Sequence, residues 1–375
     1  MLLFDIILDF LYVIAQRRLS AARKLMQVGL AVAGIALGIG SLVFSMSFNG
    51  IVLTADTNGS TVSPILINTF LIIGELVLVA GIVLEIYQQF WGEASQANRA
   101  KSVDLRSLLK GSAPQLSKVF TQTIEGSGTR KSLYLQQQRD ELLNDWLDRS
   151  SESLTHFAQN ELVELNQHES EHPLALGAIA HVPHCFALGF LVANRRLVNY
   201  YCWDRDSKKE EKSRWIDCRD KRTRGQSISG EVKGYKSNNI CSEKEVKKLG
   251  LSIEFSIPSD PEVFLEKAGL DAVYQIKLPK QYIGNLFSEK EQVKIISEIR
   301  ELMNNQLLKK YSSVEELHIT ITGQNSFVMR FAADLNQNHI PKVIKVYHFE
   351  KNDYPWFFNL SPNSDVVNFS VPTNY

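Results

Sequence analysis

The sequence predicts an α/β protein in which two related halves frame one cleft, set behind an apolar helical hairpin. Three observations predict it. Two long apolar runs lie near the N-terminus. Two stretches of the C-terminal half echo each other. Between the echoes, alternating and helical hydrophobic periods are mixed.

The first echo runs Ala178-Ile-Ala-His181-Val-Pro-His184-Cys-Phe-Ala-Leu-Gly189-Phe, then Leu197-Val-Asn-Tyr-Tyr-Cys-Trp203-Asp-Arg-Asp206. The second runs His318-Ile-Thr-Ile-Thr-Gly323-Gln-Asn-Ser326-Phe-Val-Met-Arg-Phe331, then Val343-Ile-Lys-Val-Tyr-His-Phe349-Glu-Lys-Asn352. Each reads as an apolar strand, a small-polar loop, an apolar helix start and a second strand ending in aromatics. That order is half of a Rossmann-like unit. Its loop falls at the carboxyl end of a strand, the edge of an open α/β sheet where ligands sit.

A chain of 375 residues holds more than one domain. A formal net charge of +0 implies no global affinity for a polyanion, which argues against DNA or RNA polymers as partners. Cys185, Cys202, Cys218 and Cys241 have no close pairing and read as reduced thiols.

The N-terminal residues 1–24 read as an amphipathic helix. Asp5, Asp9 and Gln16 fall near one face, with Phe4, Ile7, Leu8 and Leu11 on the other. Residues 25–90 read as two membrane-spanning helices, 26–48 and 64–86, each matching the roughly 20 residues needed to cross a hydrocarbon core. Lys and Arg are absent from Leu25 to Asn98 and present on both flanks, which places both termini in the cytoplasm by the positive-inside rule. Gly34 and Gly38 form a small-residue surface for close helix approach. Glu75 lies near the middle of the second run, where an exposed carboxylate costs at least ~2.5 kcal/mol, and is expected at a helix interface or facing a pore.

Residues 91–168 read as a helical connector. Leu133, Leu142, Leu143, Trp146, Leu147, Leu154, Phe157, Leu162 and Leu165 recur at helical spacing, and no enzyme motif appears. Beyond it, Leu251–Ile257 and Ala272–Leu278 read as strands and Glu289–Tyr311 as a helix. Between the halves, Arg205–Lys248 holds 14 Lys/Arg against 8 Asp/Glu, an excess that suits phosphates, or simply a solvated insertion.

The two echoes, the α/β section between them and the ending Val343-Ile-Lys-Val-Tyr-His-Phe-Glu-Lys-Asn-Asp-Tyr354 resemble the SAVED domain. So do the opening Leu174-Ala-Leu-Gly-Ala178 and the stretch Asp334-Leu-Asn-Gln-Asn-His-Ile-Pro341. The resemblance covers about half the chain and rests on diffuse patterns. It implies two fused CARF-like, Rossmann-type halves over 169–375 that sense a cyclic nucleotide made by a partner nucleotidyltransferase. With a two-span N-terminus, the whole is similar to membrane-bound effectors of bacterial cyclic-oligonucleotide anti-phage signalling (CBASS). One departure stands out: Met329-Arg330 replaces the small residue and glycine supplied in the first half by Leu188-Gly189. The halves are therefore expected to read different parts of one ligand.

Helix-starting loops supply N–H groups to phosphates, and aromatics supply stacking platforms for bases. The expected ligand-binding residues are His181, Pro183, His184, Trp203, Arg205, Trp215, Thr322, Gln324, Asn325, Ser326, Tyr347, His348 and Tyr354. A zinc site is not expected from His181-x-x-His184-Cys185, since four ligands are not evident. No cofactor is expected beyond the activating cyclic di- or trinucleotide. The resulting expectation is a non-enzymatic receptor in the bacterial inner membrane that binds its ligand in the cytosol, self-associates and makes the bilayer leaky. The alternatives are a membrane-anchored ring nuclease and a sensor that recruits a separate effector.

Overall fold

The computed structural model describes residues 21–38, 43–48, 51–56, 64–87, 101–108, 113–120, 130–167, 174–192, 197–205, 214–235, 245–335, 340–362 and 364–372. The chain divides into two units, one made of Val13–Gln96 and the other of Met1–Tyr12 with Ala97–Tyr375. The expected N-terminal amphipathic helix falls, up to Ser20, outside the described residues.

The smaller unit contains helix α1 (Ala21–Gly38), strands β1 (Val43–Phe48) and β2 (Ile51–Asp56), and helix α2 (Pro64–Tyr87). This corrects the first expected span. Residues 26–48 do not form one helix; α1 stops at Gly38, and 43–48 pairs antiparallel with 51–56, Phe48 opposite Ile51. The reason is legible in the chain. Gly38-Ile-Gly40-Ser41 offers poor helix formers, and Asn49-Gly50 between the paired strands is the dipeptide favoured in two-residue hairpins. Helix α2, 24 residues long, coincides with the second expected run. Among the described residues no helix is long and apolar enough to cross a membrane, so the two-span hairpin is not found.

Helices α1 and α2 pack through glycines. A Cβ on Gly29 would lie 2.6 Å from the Leu78 nitrogen, and one on Gly74 would lie 2.7 Å from that of Ala33. The close contact thus uses Gly29 and Gly74; the surroundings of Gly34 and Gly38 lie outside the described residues. Glu75 is exposed, beside exposed Ile72, Leu76 and Val79.

The larger unit holds two sheets. Its strands are β3 (Lys101–Arg106), β4 (Arg130–Tyr134), β5 (Leu174–Ile179), β6 (Val198–Trp203), β7 (Trp215–Asp217), β8 (Ser229–Tyr235), β9 (Lys248–Glu254), β10 (Ala272–Lys277), β11 (Glu316–Thr322), β12 (Val343–Tyr347), β13 (Phe357–Leu360) and β14 (Asn368–Ser370). The first sheet runs β4-β3-β5-β6-β7 and the second β14-β13-β12-β11-β9-β10-β8. In each, four strands are parallel in the chain order 2-1-3-4, followed by an antiparallel strand. Parallel neighbours require crossovers. Helices α3 (Leu143–His156) and α4 (Val182–Val192) serve the first sheet, and α6 (Glu289–Leu302) and α7 (Asn325–Asp334) the second. The short helix α5 (Pro261–Lys267) follows β9.

The repeat is deeper than the two echoes. Both α3 and α6 are 14 residues long, and both run into a five-residue π turn, Phe157–Glu161 and Met303–Leu307. The region expected as a helical connector therefore supplies the first two strands and the first long helix of the first half. Lys101–Arg106 is buried throughout, between β4 and β5. Arg106 and Asp104 form a buried ion pair at 2.9 Å, and Arg106 also binds the carbonyls of Ala113 and Pro114. Helix α4 is apolar all round and buried from Pro183 to Val192, with its proline in the first turn, where a missing N–H costs nothing. It packs on α7, joining the halves in one core.

Candidate functional site

The carboxyl ends of β5 and β6 in the first half and of β9, β11 and β12 in the second converge on a cleft of about 270 Å³. Ile179 to Val182 follow β5, Trp203 to Arg205 end β6, Ser256 and Ile257 follow β9, Thr322 to Asn325 follow β11, and His348 and Phe349 follow β12. This is where parallel α/β sheets leave their strand-end loops free to hold a ligand.

Of the expected residues, His181, Trp203, Arg205, Thr322, Gln324, Asn325 and His348 line the cleft together. The other six do not. Pro183 and His184 are buried within α4, and Ser326 is buried in the first turn of α7, its hydroxyl accepting from Gln292 Nε2 at 2.9 Å. Tyr347 and Tyr354 pack with Phe264 in an aromatic cluster under α5, because alternation along β12 turns Tyr347 away from the cleft. Trp215 is also buried. It stands edge-on to Trp203 at 5.4 Å, donates Nε1–H to the Pro114 carbonyl at 2.9 Å, and so buttresses Trp203.

Sequence reading missed Leu108, Ser256, Ile257, Ile283, Gly284, Phe287 and Phe349, which also belong to the lining. Ser107, just before Leu108, was missed as well. Its hydroxyl accepts the His181 main-chain N–H at 2.8 Å and meets Nδ1 of the same residue at 2.7 Å. Donation of the Ser107 O–H to Nδ1 would put the proton of the neutral ring on Nε2. Gly284 turns the chain at a φ of +83°. Its neighbours fix Gln324: with the amide oriented so that its oxygen accepts from the N–H groups of Gly284 (2.9 Å) and Asn285 (3.0 Å), its NH2 group remains as a donor. Asn325 spends its own NH2 across the halves on the carbonyls of Ala178 and Ala180, both at 3.2 Å.

Behind the lining residues His181 and His348 lies a buried aromatic cluster. The ring of His181 lies 4.8 Å from His348 and 5.3 Å from Trp146; His184 lies 5.4 Å from Trp356 and 4.9 Å from Phe358. Burial, reinforced by His348 and Arg205, pushes His181 down to about 3. Burial also holds His184 well below the usual imidazole range and lowers His348. The rings are therefore neutral at physiological pH, apolar platforms rather than cations. Neither nitrogen of His184 has a partner. Among the described residues no group of three His, Cys, Asp or Glu is placed to hold a metal.

Residues 154–360 match the model of the family described as SAVED, "SMODS-associated and fused to various effectors sensor domain". No curated protein matches the chain. Among solved structures, similar chains include the Acinetobacter baumannii Cap4 SAVED/CARF-domain containing receptor with the cyclic trinucleotide 2′3′3′-cAAA, at 14% identity and a TM-score of 0.41 over 77% of this chain and 57% of that one. The same receptor with 3′3′3′-cAAA aligns at 14% identity and a TM-score of 0.42, over 77% and 59%. Without a named ligand it aligns at 11% identity and a TM-score of 0.40, over 77% and 57%. The chain thus spans less than three-fifths of the length of these receptors.

Proposed function

Since the chain belongs to the SAVED family of sensor domains, we propose that it is a receptor for a cyclic oligonucleotide, held in the cleft between its two halves. The observation that carries the reading is the convergence of five parallel-strand ends, from both sheets, on that cleft. The cleft offers what such a ligand needs. Trp203 and the His181–His348 pair present ring faces for bases, Gln324 offers an NH2 donor, and Arg205 offers a cation for a phosphate. The halves contribute different chemistry, Trp203, His181 and Arg205 from the first and Gln324, Asn325 and His348 from the second, which suits one ligand read asymmetrically.

The ligand acts by binding one state of the receptor better than another. We take that state to be a self-associated one, which brings the smaller units together. The smaller unit is the effector in this reading. Its outward apolar residues, among them Leu30, Ile72, Leu76 and Val83, suit contact with lipid, and clustering on a bacterial inner membrane would make it leaky and halt phage spread. The chain acts as a sensor and effector without catalysis.

The test is titration of the full chain with a panel of cyclic di- and trinucleotides, followed by chromatography of the recovered ligand. Saturable binding with the ligand returned intact is expected. Absence of binding across the panel would remove the receptor reading, and turnover would make the protein a ring nuclease. Dye release from phospholipid vesicles, triggered only by a binding nucleotide, tests the membrane step.

A further inference from the structure

A second, smaller cavity of about 140 Å³ adjoins the cleft and shares Asp204, Gly284 and Phe287 with it. Its wall holds Lys221, Arg222 and Arg224, three cations of the basic stretch noted between the halves, and its floor is Ser288. Ser288 is the residue before α6, a helix of 14 residues. A serine there normally caps the helix by accepting a first-turn N–H. Ser288 makes no such bond, is 2% exposed, and its hydroxyl has no partner. A buried hydroxyl without a partner costs free energy, so a polar group that reaches it is favoured. At a helix N-terminus among cations, that group is an anion.

From this geometry we infer that the cavity is a phosphoryl-binding subsite, in which Ser288 Oγ–H and the first turn of α6 bind the anion while Arg222 and Lys221 supply charge. Two carboxylates share the wall. Glu291 Oε1 is already spent on the main-chain N–H groups of Arg224 and Gln226, at 3.0 and 2.8 Å. Asp204 stands at the boundary with the cleft. The lining thus carries three cations and two carboxylates. Arg224 bonds the Tyr282 hydroxyl and forms the outer rim. The phosphoryl group belongs either to the nucleotide held in the cleft or to a free phosphate. The first source rests on the receptor reading; the subsite itself does not.

The experiment is calorimetric titration of the full chain with sodium phosphate at constant ionic strength, with chloride as control. It compares the wild type with Ser288→Ala and Arg222→Gln, each checked for an unfolding midpoint no lower than that of the wild type without phosphate. Saturable phosphate binding that weakens roughly tenfold in either variant is expected, the loss of one hydrogen bond to a charged group. No saturable binding, or binding that both variants leave unchanged, would overturn the subsite. Repeating the titration with each nucleotide of the cyclic panel present separates the sources. Competition assigns the subsite to the nucleotide's phosphate, and undisturbed binding assigns it to free phosphate. Phosphate binding sensitive to both variants, in a chain that binds no cyclic nucleotide, would sustain the subsite while the receptor reading fell.

Discussion

Gly189 of α4 rests against the main chain of Met329 in α7: a Cβ on Gly189 would stand 2.1 Å from the Met329 carbonyl oxygen and 2.7 Å from its Cα. These are the positions at which the two echoes differ most. The difference is complementary, because a glycine on one helix admits the backbone of the other where the halves cross. Arg330, next in the chain, crosses to the first half and lies over the Tyr200 ring at 4.3 Å, paired with Glu289 at 2.9 Å.

Gly189→Ala is therefore expected to destabilise the larger unit by about 3 kcal/mol or more, the upper range for overpacking a core. Urea unfolding should show a lower midpoint. Because the clash is with main chain, adding Met329→Ala to Gly189→Ala should not restore stability. Recovery in the double variant would show that the side chain, not the backbone, sets the distance.

The order of the first sheet predicts where the chain can be cut. A fragment from Ala97 keeps β3, while one from Ser132 loses β3 and half of β4. Since β3 lies between β4 and β5 and is buried at every residue, its loss would leave β5 with an open buried edge. The shorter fragment should be insoluble or lack a cooperative transition, and the longer one should unfold cooperatively. Equal behaviour of the two would mean that β3 adds nothing to the core.

What the sequence disclosed and what it withheld follow from burial. The strand before His181, Leu174–Ile179, is buried on both faces and reads as a continuous apolar run, and the strand before Gln324 alternates apolar residues with His318, Thr320 and Thr322, so the second half of each repeat was legible. Lys101-Ser-Val-Asp-Leu-Arg106 reads as polar because its Asp104 and Arg106 neutralise each other inside the fold, a pairing that no local pattern reveals. Hidden with it were Ser107 and Leu108 of the site. Tyr347 and Tyr354 read as ligand platforms because an aromatic at a strand end has the same letter whether it faces a cleft or, as here, a cluster under α5. The hairpin at Asn49-Gly50 was legible in principle, but the surrounding apolar run masked it.

The buried histidines predict an acid limit. His181 and His318 are pushed down to about 3 and about 4, chiefly by burial, and His184 and His348 are lowered for the same reason. An unfolded histidine takes up its proton near 6.5 while these folded ones stay neutral, so the unfolded state binds more protons below that pH. Stability is then unaffected by these groups above about 6.5 and falls as the pH drops toward about 4, each group adding a slope of up to about 1.4 kcal/mol per pH unit. His184→Phe removes one such group and two unpartnered nitrogens. It should shrink the difference in urea midpoint between pH 8 and pH 5, and an unchanged difference would show that His184 does not carry it.

The amide of Gln324 gives the sharpest test of how the cleft meets its ligand. Its oxygen is held by the N–H groups of Gly284 and Asn285, so Gln324→Glu keeps that anchor and exchanges only the NH2 donor for a carboxylate oxygen. A ligand presenting phosphates or base acceptors there loses a hydrogen bond and gains a repulsion. Binding of whichever cyclic nucleotide the wild type accepts should weaken at least about tenfold. Part of the loss should return at high salt, where the repulsion is screened. Gln324→Met, which lacks both the anchor and the charge, should lose affinity without that salt recovery. Equal affinity in wild type and Gln324→Glu would place the ligand away from α7 and leave Gln324 with the purely structural task of holding the Gly284 turn.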